Sequence, residues 1–267
     1  MPVENALAAL KDGSLEFLGC SSHLVVGGFP DWHGAKLLCA QSQGMYWFLV
    51  MRSDLGAARG DLSVLKGRRI GAAYWVGMAL KQLLRERGID PERDGIEIAP
   101  IPGAHGAGMS FGVIAAQALA DDRVDGFWAN GMGAELAVRR GVGTVVLDAR
   151  RDPGVPNYTM ASVVASDRLI ETKPQVAASA VRAIAKAQAA LRQNVELATD
   201  IGRRLFPEIE AGVIADLIRR DLPYYDAVIS REAVERMIDF SISANVLKRR
   251  PAYEEVAATQ FAPLWRP

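Results

Sequence analysis

Between residues 45 and 148, short apolar runs alternate with segments of helix length, and no other feature of the chain narrows its fold as much. MYWFLVMR (45–52) is continuously apolar, as in a strand buried on both faces. RRIGAA (68–73) leads into a helix reaching Arg87, with Val76, Leu80, Leu83 and Leu84 at i, i+4, i+7 and i+8. Gly88 stops that helix, and Asp90-Pro91 breaks the chain behind it. GIEIAPI (95–101) and GTVVLD (143–148) read as strands, and Phe111 to Ala120 as a short helix. DDRVDGFWANGMGAEL (121–136) supplies a polar turn, a strand and the start of a helix. Strands separated by helices of this length imply βαβ units, an α/β fold and mostly parallel sheets flanked by helices.

The character changes after NYTMASVVAS (157–166). One long helix is expected from Pro174 to about Asp200, with Val181, Ile184, Leu191 and Val195 on a common face. Two more are expected over Pro207–Arg220 and Ser230–Leu247, the last with Ser230 as its N-cap and Glu232 in its first turn. SLEFLG (14–19) is a further strand, ahead of a Gly/Ser-rich turn. The layout fits two lobes better than one sheet. Lobe one comprises 1–52 and 161–267, with a helical C-terminal third, and lobe two is 53–160. YWFLVMRSD and YTMASVVAS are the two crossings, both β-rich and suited to hinge strands.

Composition excludes some functions. Lys+Arg and Asp+Glu both number 31, so no basic excess points to nucleic acid or an anionic membrane. No run approaches the roughly 18 apolar residues of a membrane span. The first residues, MPVENALAALKDGSLEF, lack the charged-then-apolar layout of a signal peptide. Cys20 and Cys39 are too few for a disulfide scaffold; whether they pair is open, and two buried thiols are the favoured reading.

Catalytic and metal motifs are weak. His23, His33 and His105 are accompanied by no C-x-x-C pair and no H-E-x-x-H, so no metal is expected. GCSSH (19–23) sets Cys20, Ser22 and His23 together, but neighbours in an extended segment face opposite ways. It also lacks the second glycine of a G-x-S-x-G elbow, so no catalytic residue is assigned. GAHGAGMSFG (103–112) has neither G-K-[ST] nor G-x-G-x-x-G and reads first as a βα loop, so no cofactor is expected.

The stronger signals are positional. CSSH (20–23), AYWVG (73–77), GAHGAGMS (103–110) and WANGM (128–132) stand at the carboxyl ends of strands, where open α/β sheets bind ligands. Helices beginning near Trp75 and Gly131 would present backbone N–H groups suited to a carboxylate, sulfonate or phosphate. Tyr74, Trp75 and Trp128 would add flat apolar walls, and Asn130 and Ser22 neutral hydrogen bonds.

ARGDLSVLKGRRIGAA, a helix ending LLRERGIDPERD, then IAPIP and AAQALADDRVDGFWA together resemble the second lobe of a type 2 periplasmic binding protein. The likeness is to the branch that binds sulfonates, nitrate, taurine and thiamine-pyrimidine precursors. Asp61 to Arg68 resembles that branch's D-L-K-G-K turn, and Ala118 to Gly126 its A-L-x-x-G-x-V-D-A turn. VVASDRLIETKPQVAASAVRAIAKA (163–187) is similar to its return crossing and long helix.

The resemblance implies a two-lobed periplasmic-binding-protein-like fold. It also implies a solute-binding protein of an ABC importer, located in the periplasm and partnered by an inner-membrane permease. A small organic anion or flat polar heterocycle would sit in the interlobe cleft. By position its contacts would be Ser21, Ser22, His23, Tyr74, Trp75, Val76, Trp128, Asn130 and Tyr158. Members of that family usually open with a signal peptide and a strand, helix and strand ahead of the segment matching ALAALKDGSLEF. Lobe one is therefore expected to lack its usual N-terminal elements, with truncation or self-association as the consequence. The alternative is a cytosolic enzyme on the same fold, acting on a small aromatic or pyrimidine-type substrate. Against it, the cysteine-rich motif of thiamine-pyrimidine synthases is missing, and no paired carboxylates stand at strand ends.

Overall fold

The structure is a computed structural model describing residues 3–101 and 110–266. Its strands are β1 (Leu18–Ser21), β2 (Ala35–Ser42), β3 (Trp47–Arg52), β4 (Arg69–Gly71), β5 (Glu97–Ala99), β6 (Gly126–Asn130), β7 (Gly143–Asp148) and β8 (Ala161–Ser166). Its helices are α1 (Val3–Asp12), α2 (Tyr74–Glu86), α3 (Phe111–Ala120), α4 (Gly131–Arg139), α5 (Asp167–Thr172), α6 (Pro174–Gln193), α7 (Glu196–Leu205), α8 (Glu208–Asp221), α9 (Arg231–Ser243) and α10 (Tyr253–Val256). Contacts divide the chain into two units. Unit one is Met1–Met45, Asn157–Leu197 and Arg220–Pro267; unit two is Tyr46–Pro156 and Ala198–Arg219.

Unit one is built on a three-stranded sheet in the order β1-β8-β2, with both pairings antiparallel. Cys20 lies beside Ser162 on one side of β8, and Cys39 beside Val163 on the other. The C-terminal segment covers β2, where Trp265 Nε1 donates to Leu38 O at 2.8 Å and the Ala258 amide to Leu37 O at 2.9 Å. α6 packs there too, its Gln188 donating to the Ala40 and Gln41 carbonyls at 3.2 and 2.9 Å. The buried face of α6 is Ala177, Ala178, Val181, Ala185 and Gln188, small residues that let helix and sheet approach closely. α6 stops at Gln193, short of the Asp200 expected, because Asn194 turns extended and its side chain accepts the Glu196 amide at 3.1 Å, starting α7.

Unit two carries a five-stranded sheet ordered β5-β4-β6-β3-β7. β4 is parallel to β5 and β6, whereas β3 is antiparallel to both its neighbours, β6 and β7. Unit two's sheet is thus mixed, and unit one's is paired antiparallel throughout, rather than both being mostly parallel. The βαβ units are present, but β3 is inserted between β6 and β7 against their direction, and β8 runs against its two partners in the same way. The continuous apolar run of β3 follows from this central place: Trp47 to Met51 are all buried. β3 joins unit two through its pairings, so the contact boundary falls after Met45, ahead of the residue 52 read from sequence. Residues 198–219 also fall with unit two, because Val213 and Leu217 of α8 pack into its core against α3 and α4.

Two local devices hold this core. The Asp125 carboxylate ties β4 to β6, accepting the Arg69 amide at 2.9 Å and its guanidinium at 3.1 Å. α3 and α4 touch where Gly112 faces Gly133. A Cβ on Gly112 would stand 2.3 Å from Asn130 Oδ1, and one on Gly133 would stand 2.6 Å from Gly112 O. Only glycine fits at either position.

Candidate functional site

Each unit brings a set of the sequence-predicted residues together. In unit one the chain leaves β1 at Ser21 and turns through Ser22–Gly27 as a short 3-10 helix. The Ser22 amide and hydroxyl both donate to Met160 O at 2.9 Å, and the hydroxyl also lies 2.8 Å from Ser162 Oγ. His23 turns to a different partner: its Nδ1 is 3.1 Å from Thr159 Oγ1, and its amide donates to the same oxygen at 3.4 Å. The His23 ring stands edge-on to Phe240 at 5.5 Å, and Phe240 stacks on Tyr158 at 4.8 Å. Ser21, Ser22, His23 and Tyr158 thus share one buried neighbourhood.

The sequence reading missed Thr159, Ser162 and Phe240 in this group. Ser162 follows from the pairing of β8 with β1, whereas Thr159, ahead of that strand and of opposite parity, does not. Phe240 comes from α9, and no local signal links it to His23. Cys20, beside the cluster, is held by burial as a thiol with its pKa pushed up to about 12, and Cys39 is pushed up equally. Both are free. β8 separates their strands, which places them roughly 10 Å apart, beyond disulfide reach.

In unit two the register sets Trp47 beside Asn130 and Phe48 beside Asp148, so the start of β3 and the carboxyl ends of β6 and β7 share one edge. Here the structure corrects two expectations. Trp128 is fully buried rather than presented as a wall: its ring packs edge-on to Trp47 at 5.9 Å. Its Nε1 has no hydrogen-bond partner among the described residues, an arrangement that costs about 1–3 kcal/mol where it occurs. Asn130 is the N-cap of α4, its Oδ1 accepting the Met132 and Gly133 amides at 3.1 and 3.4 Å. The helix start expected to face a ligand is therefore occupied by the chain's own side chain.

Ser110 caps α3 likewise, receiving the Val113 amide at 3.4 Å. α2 differs, because its N-cap is Ala73, whose methyl group cannot accept a hydrogen bond. Tyr74, Trp75 and Val76 occupy that first turn. Tyr74 is exposed and meets Trp75 edge-on at 5.7 Å, while Trp75 and Val76 are half-buried. A hollow of about 100 Å³ beside them, lined by Tyr74, Gly77, Met78, Lys81 and Ile98, is too small for a whole organic ligand.

Tyr46 and Arg150 are further residues of this edge that the sequence reading missed, the guanidinium lying 5.7 Å from the Tyr46 ring centre. Arg52 sits at the opposite end of β3 and bonds Asp54 and Asp122. Gly103 to Met109, with His105, lie outside the described residues. Among the described residues no cluster of His, Cys, Asp and Glu could hold a metal ion, and no helix is long and apolar enough to cross a membrane.

The chain is similar to several solved structures. It aligns with the periplasmic aliphatic sulphonate-binding protein SsuA from Escherichia coli at 14% identity and a TM-score of 0.71, covering 96% of this chain and 79% of that one. The alkanesulfonate-binding protein SsuA from Xanthomonas axonopodis pv. citri, bound to MOPS, matches at 16% identity and a TM-score of 0.67, covering 99% and 85%. The desulfurization enzyme DszB matches at 18% identity and a TM-score of 0.62, covering 92% and 84%. These likenesses show a periplasmic-binding-protein-like fold. No curated protein sequence matches the chain significantly. The NMT1/THI5-like family model matches residues 60–198, more than half of the sequence, and the chain belongs to that family.

Proposed function

We propose that the chain is the solute-binding component of an ABC importer, holding a small organic anion or flat polar heterocycle without transforming it. The observation that carries this reading is the hydroxyl–imidazole cluster of unit one. Ser22, His23, Thr159 and Ser162 set hydroxyl and imidazole hydrogen-bonding groups in a buried place, and the Tyr158–Phe240 stack adds a flat apolar surface. Unit two, taken by itself, offers the first turn of α2, where Tyr74, Trp75 and Val76 follow an N-cap that accepts no side-chain hydrogen bond. Membership of the NMT1/THI5-like family and the likeness to sulfonate-binding proteins support the same reading. It carries with it a periplasmic location and an inner-membrane permease as partner.

An enzyme on the same fold is the second reading, favoured by the match to DszB. Against it, both thiols of this chain are protonated at neutral pH, so neither Cys20 nor Cys39 is a ready nucleophile. Thermal unfolding of the full chain with alkanesulfonates, aromatic carboxylates and pyrimidines separates the two. A ligand at roughly 100 times its Kd adds about 2.7 kcal/mol and raises Tm, an effect lost in His23→Ala. New product accumulating in the incubation would replace the binding reading with the enzymatic one.

A further inference from the structure

We infer that Thr159 fixes the ring proton of His23 on Nε2, so that the ligand atom meeting His23 is a hydrogen-bond acceptor. The inference rests on the binding reading above and names the chemical class that His23 selects.

It follows from the protons and lone pairs of the buried cluster in unit one. A carbonyl has no proton to give, so at the 2.9 Å contact of Ser22 Oγ with Met160 O the proton is that of Ser22. The Ser22 hydroxyl has then committed its one proton, and it accepts from Ser162 Oγ, 2.8 Å away. Met160 O also receives the Ser22 amide at 2.9 Å, which fills its second lone pair. Thr159 Oγ1 lies 3.5 Å from the same carbonyl. That is longer than the roughly 3 Å of a good O–H···O bond, and both lone pairs are already taken. The other neighbour of Thr159 Oγ1 is His23, whose amide donates to it at 3.4 Å and whose Nδ1 stands 3.1 Å away.

The ring can meet Thr159 in two ways. With the proton on Nδ1, Thr159 Oγ1 would take two N–H groups from His23, while its own proton found only the saturated Met160 carbonyl. With the proton on Nε2, the Thr159 hydroxyl donates to Nδ1, and the hydroxyl protons of Ser22, Ser162 and Thr159 all have acceptors. Thr159 is buried, where a hydroxyl without an acceptor is costly, so the second arrangement wins. The imidazole therefore presents an N–H at Nε2. A sulfonate or carboxylate oxygen, or the bare ring nitrogen of a heterocycle, accepts from it, whereas an ammonium group sets donor against donor. Thr159 is a positioning residue that acts through His23.

Proton–nitrogen correlation spectra of the full chain, labelled in its histidine rings and free of ligand at about pH 8, test this, with His23→Ala assigning the signal. The expected ring is protonated at Nε2 and bare at Nδ1. Thr159→Ser keeps that pattern, whereas Thr159→Val, of similar shape without the hydroxyl, releases the ring to both tautomers; circular dichroism reports the fold of each. A proton on Nδ1 in the wild type overturns the inference, as does Thr159→Val with its ring still held at Nε2. Thermal unfolding with aromatic carboxylates and with amines of the same skeleton tests the selection, the carboxylates binding at least about tenfold more tightly. Amines that bind equally well overturn it. If neither series raises Tm, the binding reading fails together with the selection, while the tautomer stands or falls on the spectra alone.

Discussion

Gly112→Ala should destabilise unit two by about 2 to 3 kcal/mol, although alanine is the better helix former. The added methyl would lie 2.3 Å from Asn130 Oδ1 and 2.6 Å from the Gly133 amide nitrogen. Both neighbours are fixed, one as the cap of α4 and the other as its backbone, so α3 and α4 must part. Overpacking of this kind costs about 1–3 kcal/mol, and displacing the Asn130 cap about 1 kcal/mol more. The helix-propensity gain offsets only a few tenths so near a helix start. Gly212→Ala, in α8, is the matched control, because nothing lies within 4 Å of its new methyl. It should stabilise by about 0.5–1 kcal/mol. Urea unfolding followed by circular dichroism measures both. If Gly112→Ala changed stability by less than about 0.5 kcal/mol, or in the direction of Gly212→Ala, the close contact of α3 and α4 would be refuted.

Ser22→Ala leaves the Ser162 hydroxyl without its neighbour and should lower stability by about 1–2 kcal/mol in thermal unfolding. Tyr74→Ala, at an exposed side chain, should change stability by less than about 0.5 kcal/mol while weakening any aromatic ligand in a titration. The Arg69 guanidinium beside Asp125 holds its carboxyl below the usual range. A depressed folded pKa makes this contribution complete above the unfolded value of about 3.9 and loses it as pH falls through the folded value. Asp125→Asn should therefore remove about 1 kcal/mol at neutral pH and flatten the stability profile below about pH 4. Cys20 and Cys39 should resist a thiol reagent at pH 8 in the native chain and react only after denaturation; a native disulfide between them would contradict the sheet order.

What could be read from sequence was whatever local period or turn chemistry decides. β7 and α3 have the bounds expected from GTVVLD and from Phe111 to Ala120, and the unbroken apolarity of MYWFLVMR marks a strand with neighbours on both sides. Strand direction was not legible, because an apolar run looks alike whichever way it is paired; the antiparallel β3 and β8 were therefore not told apart from the parallel strands. β2 was missed: Lys36 and Gln41 interrupt AKLLCAQS, and its ladder is broken by two register shifts. Asn194 was read as interior to a long helix, yet its side chain competes for backbone amides and ends one helix to begin another. Ser22 and His23 were singled out by their place at a strand end and Tyr158 by the family resemblance, and the fold puts the three in one buried neighbourhood. Trp128 was read as a wall from its place beside a helix start, but the edge-on Trp47 closes over it, and that contact spans 81 positions of sequence no pattern links.

The central place of β8 also has a consequence for biosynthesis. Its partners, β1 and β2, end at Ser21 and Ser42, while β8 itself begins at Ala161. Neither flanking strand can acquire its ladder until the ribosome has passed Ser166, and by then Tyr46–Pro156 has been made in full. The inserted segment, whose strand pairings are all internal, can condense while the first strands still wait. Its condensation would draw the ends of a long loop together, so most of the entropy of joining β8 to β1 and β2 is already spent when β8 emerges. A released chain ending at Pro156 should accordingly protect the β3–β7 sheet from protease while β1 and β2 remain open to cleavage.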